Sequence, residues 1–195
     1  MIASHNSLTY LKPLKWWMKL FSFMAKCQSK DIKEQYEKYG VRMFDFRIDF
    51  NKDGDILIQH GLMTYDIDKN GILEILSYLN RKRSVKYIKI SLECTYKEST
   101  DIPQWKKDYF IEFCKYIETK YKNIKFIGGE AKHIWKTVYK FKTTPLPDAE
   151  SNYASYTTKC KLDDLWPWLY AKLHNKKAIA NRTHDYIWLD FIEIR

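Results

Sequence analysis

Short apolar runs alternate with amphipathic stretches along the chain, and the alternation predicts strands and helices in turn. Ile2-Ala3 is a brief strand-like start. Val41 to Phe50 is predicted as a strand, with Val41, Phe44, Phe46, Ile48 and Phe50 set imperfectly against Met43, Asp45, Arg47 and Asp49. Asn51-Lys52-Asp53-Gly54 is a turn sequence, because Asn, Asp and Gly tolerate the backbone angles of a tight reversal. Ile56 to Gln59 follows it as a second strand. Gly71 to Arg81 carries Ile72, Ile75, Leu76 and Leu79 at helical spacing, and Tyr87 to Glu93 is a strand candidate. Pro103 opens a long helix bearing Tyr109, Phe110, Phe113, Ile117 and Tyr121, since a proline in the first turn forfeits no hydrogen bond. Ile124 to Ile127 is a strand ended by Gly128-Gly129. Asp163 to Leu173 is predicted helical despite Pro167, and Ala178 to Ala180 and Ile187 to Ile194 are the last strand candidates.

This order argues for an α/β fold with parallel strands, and on pattern alone a barrel and an open doubly wound sheet both remain. The 195 residues contain no repeat, linker or low-complexity tract, so a single domain over residues 1–195 is expected. A (β/α) barrel typically takes about 250 residues. A barrel here is therefore compact and reduced, with helices few, short or missing. The mix of 45% hydrophobic and 30% charged residues excludes the disordered class. A net charge of +10 points to polyanions: anionic lipid, phosphorylated substrate or nucleic acid. Lysines spread along the whole chain are equally consistent with plain compositional bias. Cys27, Cys94, Cys114 and Cys160 are far apart with no C-x-x-C pair, so neither a zinc site nor a disulfide scaffold is suggested. No stretch is long and apolar enough to span a membrane, and Met1-Ile2-Ala3-Ser4 runs into a polar motif without a visible signal peptide. The expected location is the cytoplasm, or outside the cell by a route without such a signal.

Three segments carry chemistry. Ser4-His5-Asn6-Ser7 follows a strand, where a barrel places working residues. In Gly40-Val41-Arg42-Met43-Phe44-Asp45-Phe46-Arg47, Asp45 and Arg47 are two apart, so both point to one face of the strand. Inside a barrel such charges are costly unless they pair or bind something charged. In Ile58-Gln59-His60-Gly61 a histidine ends a strand and a glycine lets backbone approach a ligand. Singly, each has a plain reading: a surface histidine, an inward ion pair, a turn histidine. In this order they resemble the catalytic X-region of phosphatidylinositol-specific phospholipases C. The resemblance includes Gln28 and Ile32 before the Gly40 strand, Ile88-Lys89-Ile90-Ser91-Leu92-Glu93, and Leu189-Asp190-Phe191 as a final strand. It is dense from Ile2 to Glu93 and thin afterwards.

The resemblance implies an irregular, reduced TIM-type barrel that cleaves a phosphodiester by acid–base catalysis. His5 is the implied general base for the inositol 2-hydroxyl, and His60 the implied acid for the departing diacylglycerol oxygen. Imidazoles suit both tasks near neutral pH. Asp190 is implied to orient His5, with Asp185 as a competitor. Asn6 and Glu93 match the calcium-using branch of the family, and with Asp45 they are the residues that could begin a Ca2+ shell. Asp45-Phe46-Arg47 matches the metal-free branch. Calcium wants six or more oxygens, and a guanidinium repels it. The favoured expectation is therefore no metal and no cofactor, with Arg47 on the phosphate, Asp45 holding it, and Glu93 pairing with Arg47 or binding substrate hydroxyls.

Lys15 to Met24 mixes Trp16, Trp17, Leu20, Phe21 and Phe23 with lysines, as an interfacial helix does. Trp16 and Trp17 are its membrane-facing candidates, and a helix packed onto the barrel is the plain alternative. Trp105, Trp135, Trp166, Trp168 and Trp188 are expected in the core or at its boundary, and His133, His174 and His184 as structural or surface residues. The expected partners are a phosphodiester lipid and an anionic membrane surface, with no nucleic acid, in a monomer. Two competing readings are a glycerophosphodiester phosphodiesterase and a non-catalytic module for anionic lipid or nucleic acid.

Overall fold

The computed structural model describes residues 1–84, 86–93, 101–132, 134–143, 146–154 and 165–195. In chain order its elements are β1 (Ile2–Ser4), α1 (Met18–Ala25), α2 (Ile32–Glu37), β2 (Val41–Phe50), β3 (Ile56–His60), β4 (Met63–Tyr65) and α3 (Lys69–Asn80). Then come β5 (Tyr87–Leu92), α4 (Gln104–Lys120), β6 (Lys125–Ala131), β7 (Lys136–Thr137), β8 (Ala149–Asn152), α5 (Pro167–Ala180) and β9 (Tyr186–Leu189). They divide into two compact units, Met1–Asp45 with Pro147–Arg195, and Phe46–Leu146.

In the first unit the strand order is β2-β1-β9-β8, and every pairing is parallel. Ala3, Val41, Met43, Phe44, Leu189 and Ile192 are wholly out of water. The short helix α2 starts where the Asp31 carboxylate accepts the Glu34 N–H at 2.8 Å, satisfying one of the free amides of its first turn. Helix α5 starts at Pro167 and runs to Ala180. Ala178 to Ala180 is therefore helix and not strand: three apolar residues carry no period of their own, and no breaker interrupts the helix before Asn181. The predicted helix start at Asp163 lies outside the described residues. The last strand ends at Leu189 rather than Ile194, because Phe191 turns into the left-handed region at φ +43° and gives its N–H to the Cys27 carbonyl at 2.6 Å.

In the second unit β5 lies beside β2, β6 beside β5, and β7 at the edge. The β5–β6 pair is parallel, whereas β3 runs antiparallel to β2, β4 to β3, and β7 to β6. The expectation of parallel strands thus holds for the first unit and for β5–β6, and the hairpins depart from it. The core is built from Phe46, Ile48, Leu76, Ile90, Phe110 and Ile117. Along β2 every residue but Arg42 is buried, which explains the imperfect alternation of its sequence: neither face looks at water. Its polar side chain Asp49 is matched by the Lys106 ammonium at 2.7 Å. At Gly129, φ is +89° and an added Cβ would stand 1.9 Å from the Tyr139 carbonyl, so only glycine fits where β6 bends. Among the described residues no helix is long and apolar enough to cross a membrane.

Candidate active site

Parallel register builds the first cluster. Ser4 pairs with Leu189 across β1 and β9, so the next residue on each chain segment, His5 and Asp190, emerges at the same carboxyl end. The His5 N–H donates to the Leu189 carbonyl at 3.1 Å. His5 Nδ1 then lies 2.7 Å from Asp190 Oδ1, with both side chains buried. A carboxylate at that nitrogen holds the proton on Nδ1 and leaves Nε2 as the acceptor. Asn6 Nδ2 stands 3.3 Å from Nε2, in keeping with that tautomer. The ring stacks on Tyr153 at 3.7 Å between centroids and 10° between planes. The other Asp190 oxygen accepts the Ala154 N–H at 3.0 Å.

The loop after His5 is tied to β2. Asn6 adopts φ +44°, a conformation that Asn tolerates better than most residues. Its N–H donates to Asp45 Oδ2 at 3.2 Å, and the Asp45 N–H donates to Ser7 Oγ at 2.9 Å. The Asp45 carboxylate, by accepting the Asn6 N–H, ties β2 to the His5 loop. Asp190 is the acid at His5, while Asp185 is exposed.

The second unit holds the other cluster. Glu93, directly after β5, donates its N–H to the Ile48 carbonyl at 2.7 Å. Its carboxylate has Arg47 Nη1 at 3.9 Å from Oε2 and accepts the Gly61 N–H at 3.1 Å on Oε1. Arg47 and Glu93 are both buried, so each charge finds its counterpart nearby. His60 ends β3 half-buried, and Gly61 follows at φ +57°. The Gln59 side chain holds that corner by donating to the Gly61 carbonyl at 2.7 Å and accepting from Thr64 Oγ1 at 2.8 Å. Arg47, Glu93 and the His60-Gly61 corner are thus neighbours.

Sequence reasoning missed three supports of the first cluster. Gln28, wholly buried, entered only as part of a pattern; its Nε2 donates to the carbonyls of His5 (3.0 Å) and Leu189 (2.9 Å), and its Oε1 accepts the Ile192 N–H at 3.3 Å. Asn175 on α5 donates to the Asp190 carbonyl at 2.8 Å and to that of Ile194 at 2.9 Å. Tyr153 is the third. Asn175 stands among Lys172, His174, Lys176 and Lys177 on α5, and Tyr153 is one of 15 tyrosines, so neither offered a distinct signal in the sequence.

Trp16 is 76% exposed and Trp17 40%, with Leu20, Phe21 and Phe23 also half or more exposed. Helix α1 packs against α5, and Phe23 meets Trp166 edge-on at 6.2 Å; Trp168 follows at 5.6 Å. Trp166 and Trp168 therefore lie at the boundary, one of the two places expected of them, whereas Trp135 is exposed. His184 pairs with Glu150 at 3.3 Å, and His133 lies outside the described residues. In the second unit a pocket of about 440 Å³ is lined by Arg81, Lys82, Arg83, Lys122 and Lys125, at the opposite ends of β5 and β6 from Glu93.

Fold and clusters together define an α/β protein with one polar cluster after the carboxyl ends of β1 and β9 and, in the second unit, another formed by Arg47, Glu93 and the His60-Gly61 corner. Among solved structures it is similar to bacterial phosphatidylinositol-specific phospholipases C. No family model matches the sequence, and no curated protein does. The Listeria monocytogenes enzyme aligns with a TM-score of 0.65, over 98% of this chain and 87% of its own, at 15% identity. A histidine-to-tyrosine mutant of the Staphylococcus aureus enzyme gives 0.64 over 98% and 84%, also at 15% identity. A double mutant of that enzyme gives 0.61 over the same shares at 17%. What is shared at these identities is the fold, and it is the reduced TIM-type α/β barrel expected from the sequence.

Proposed function

We propose that the chain is a phosphodiesterase of the phosphatidylinositol-specific phospholipase C kind. The observation that carries this reading is the buried His5–Asp190 pair, Nδ1 to Oδ1 at 2.7 Å, a contact that favours the tautomer in which Nε2 is the proton acceptor. His5 Nε2 takes the proton of the inositol 2-hydroxyl, and that oxygen attacks phosphorus. The bond from phosphorus to the diacylglycerol oxygen breaks, and His60 gives that oxygen its proton. The products are inositol cyclic phosphate and diacylglycerol, with Asp190 holding His5 in its working tautomer throughout.

Charge gathers on the non-bridging oxygens in the transition state, and a fixed cation stabilises it. Arg47 is proposed for that role, positioned by Glu93. The Glu93 carboxylate already faces a guanidinium on one oxygen and an N–H on the other, which disfavours calcium at that acid. Trp16 and Trp17, just before α1, and the exposed Phe21 and Phe23 on it are proposed to rest in an anionic membrane surface, with Lys15 and Lys19 at the headgroups.

The test is cleavage of phosphatidylinositol vesicles with and without a calcium chelator. Inositol cyclic phosphate is expected in both arms, and its loss in His5→Ala and in His60→Ala. Normal turnover in either variant overturns the acid–base assignment, and calcium rescue after chelation overturns the role of Arg47.

A further inference from the structure

Cys27 belongs to the His5 cluster but has no part in the proposed reaction. Its side chain is 1% exposed and forms no disulfide with a described residue. Asn6 Nδ2 joins it to the histidine, donating to Cys27 Sγ at 3.4 Å while standing 3.3 Å from His5 Nε2. One ligand atom from each of His5, Cys27 and Asp190 lies within 4.8 Å of the other two, all three side chains being buried.

Around a tetrahedral zinc ion, with bonds of about 2.0–2.3 Å, donor atoms stand on the order of 3.3–3.7 Å apart. Closing the set therefore asks for side-chain rotations of little more than an ångström. The donors select the metal: thiolate with imidazole suits a soft or borderline cation, whereas calcium and magnesium take oxygen. Charge selects the valence. A thiolate and a carboxylate together balance a dication, so the loaded cluster is neutral, which a buried site requires. Three protein ligands leave a fourth position open.

We propose that His5, Cys27 and Asp190 form a site for a thiophilic divalent cation, zinc or cadmium in class, and that loading it withdraws His5 from proton transfer. The metal–sulfur bond forms as the Cys27 thiol proton leaves to water, and no electron changes hands. The site stands on the geometry of the cluster; only its effect on turnover rests on the function proposed above.

Cadmium is the probe, because its bond to a thiolate gives an ultraviolet charge-transfer band that needs no turnover. Titration of the full chain is expected to give a band saturating at one equivalent, lost in Cys27→Ala and kept in Cys114→Ala. His5→Ala and Asp190→Asn should each weaken binding on the order of tenfold or more. An absent band, or one that persists in Cys27→Ala, overturns the proposal. If Cys27→Ala does not fold, cadmium NMR of the wild-type chain decides, since its shift separates one-thiolate sites from sites without sulfur. Cadmium bound at Cys27 in a chain that cleaves no phosphatidylinositol would sink the proposed function and leave this site standing; turnover without a Cys27-dependent band would do the reverse.

Discussion

Replacing Gln28 by methionine tests how the first cluster is held together. Methionine has nearly the same length and volume, so the change removes hydrogen bonds while leaving little cavity. Three bonds go: Nε2 to the His5 carbonyl, Nε2 to the Leu189 carbonyl, and the Ile192 N–H to Oε1. The Leu189 carbonyl keeps the His5 N–H. The other two groups each lose a buried partner, at about 1–3 kcal/mol apiece, and the third bond adds about 1. The expected loss is about 3–7 kcal/mol, a large share of the roughly 5–15 kcal/mol that keeps a protein folded. With a urea slope of about 2 kcal/mol per molar, the unfolding midpoint should fall by roughly 1.5–3.5 M. Gln104→Met is the control. That side chain is exposed and donates to the exposed Asp108 carboxylate, so its midpoint should move by less than about 0.3 M. A Gln28→Met midpoint within about 0.5 M of wild type would refute the reasoning.

Asp190→Asn should leave the chain folded and lower phosphatidylinositol cleavage by about 10³–10⁴, through loss of the group that sets the His5 tautomer; a loss under tenfold removes Asp190 from that role. Arg47→Lys should lower kcat on the order of 10²-fold with little change in KM, because an ammonium cannot reproduce the planar fork facing Glu93 and phosphate; an unaltered kcat removes the phosphate role. Trp16→Ala with Trp17→Ala should weaken sedimentation with anionic vesicles about tenfold, near 1.4 kcal/mol, and equal binding removes the two tryptophans from the proposed membrane surface. Alkali should destabilise the fold. Burial first, and the Asp31 carboxylate second, push the Tyr10 hydroxyl up to about 12, and burial first, with Glu118 second, pushes the Cys114 thiol up. Both stay neutral when folded, whereas the unfolded chain ionises them near pH 8.5 (Cys) and 10 (Tyr). Their stabilisation is therefore complete below those values and is lost as pH rises towards the folded ones. The urea midpoint should fall from about pH 9 upward, with Tyr10→Phe flattening the part above about pH 10; a constant midpoint to about pH 11 contradicts both.

Much of this molecule was legible because its signals are local. The helical spacing of Ile72, Leu76 and Leu79 marks α3, and all three side chains are buried in it. Val41 to Phe50 is one strand with the bounds expected of it. His5, Asp45, Arg47, His60 and Glu93 each sit on or just after a strand, as their motifs require. Where the reading slipped, the local signal was short or ambiguous. Ala178 to Ala180 has too few residues for a period, and a lone tryptophan such as Trp135 looks alike as core or as surface until its surroundings are known.

By itself, then, the sequence determined the kinds of element, most of their places, and the side chains with chemistry to offer, since periodicity and turn preferences act between residues a few positions apart. Only the tertiary structure decided that His5 meets Asp190, 185 positions away, in preference to Asp185. It alone showed that Gln28 and Asn175 secure the backbone there and that Tyr153 covers the ring. Those meetings follow from the register of β1 against β9, which is set by the packing of the whole unit and by the left-handed turn at Phe191, and no stretch of neighbouring residues encodes them.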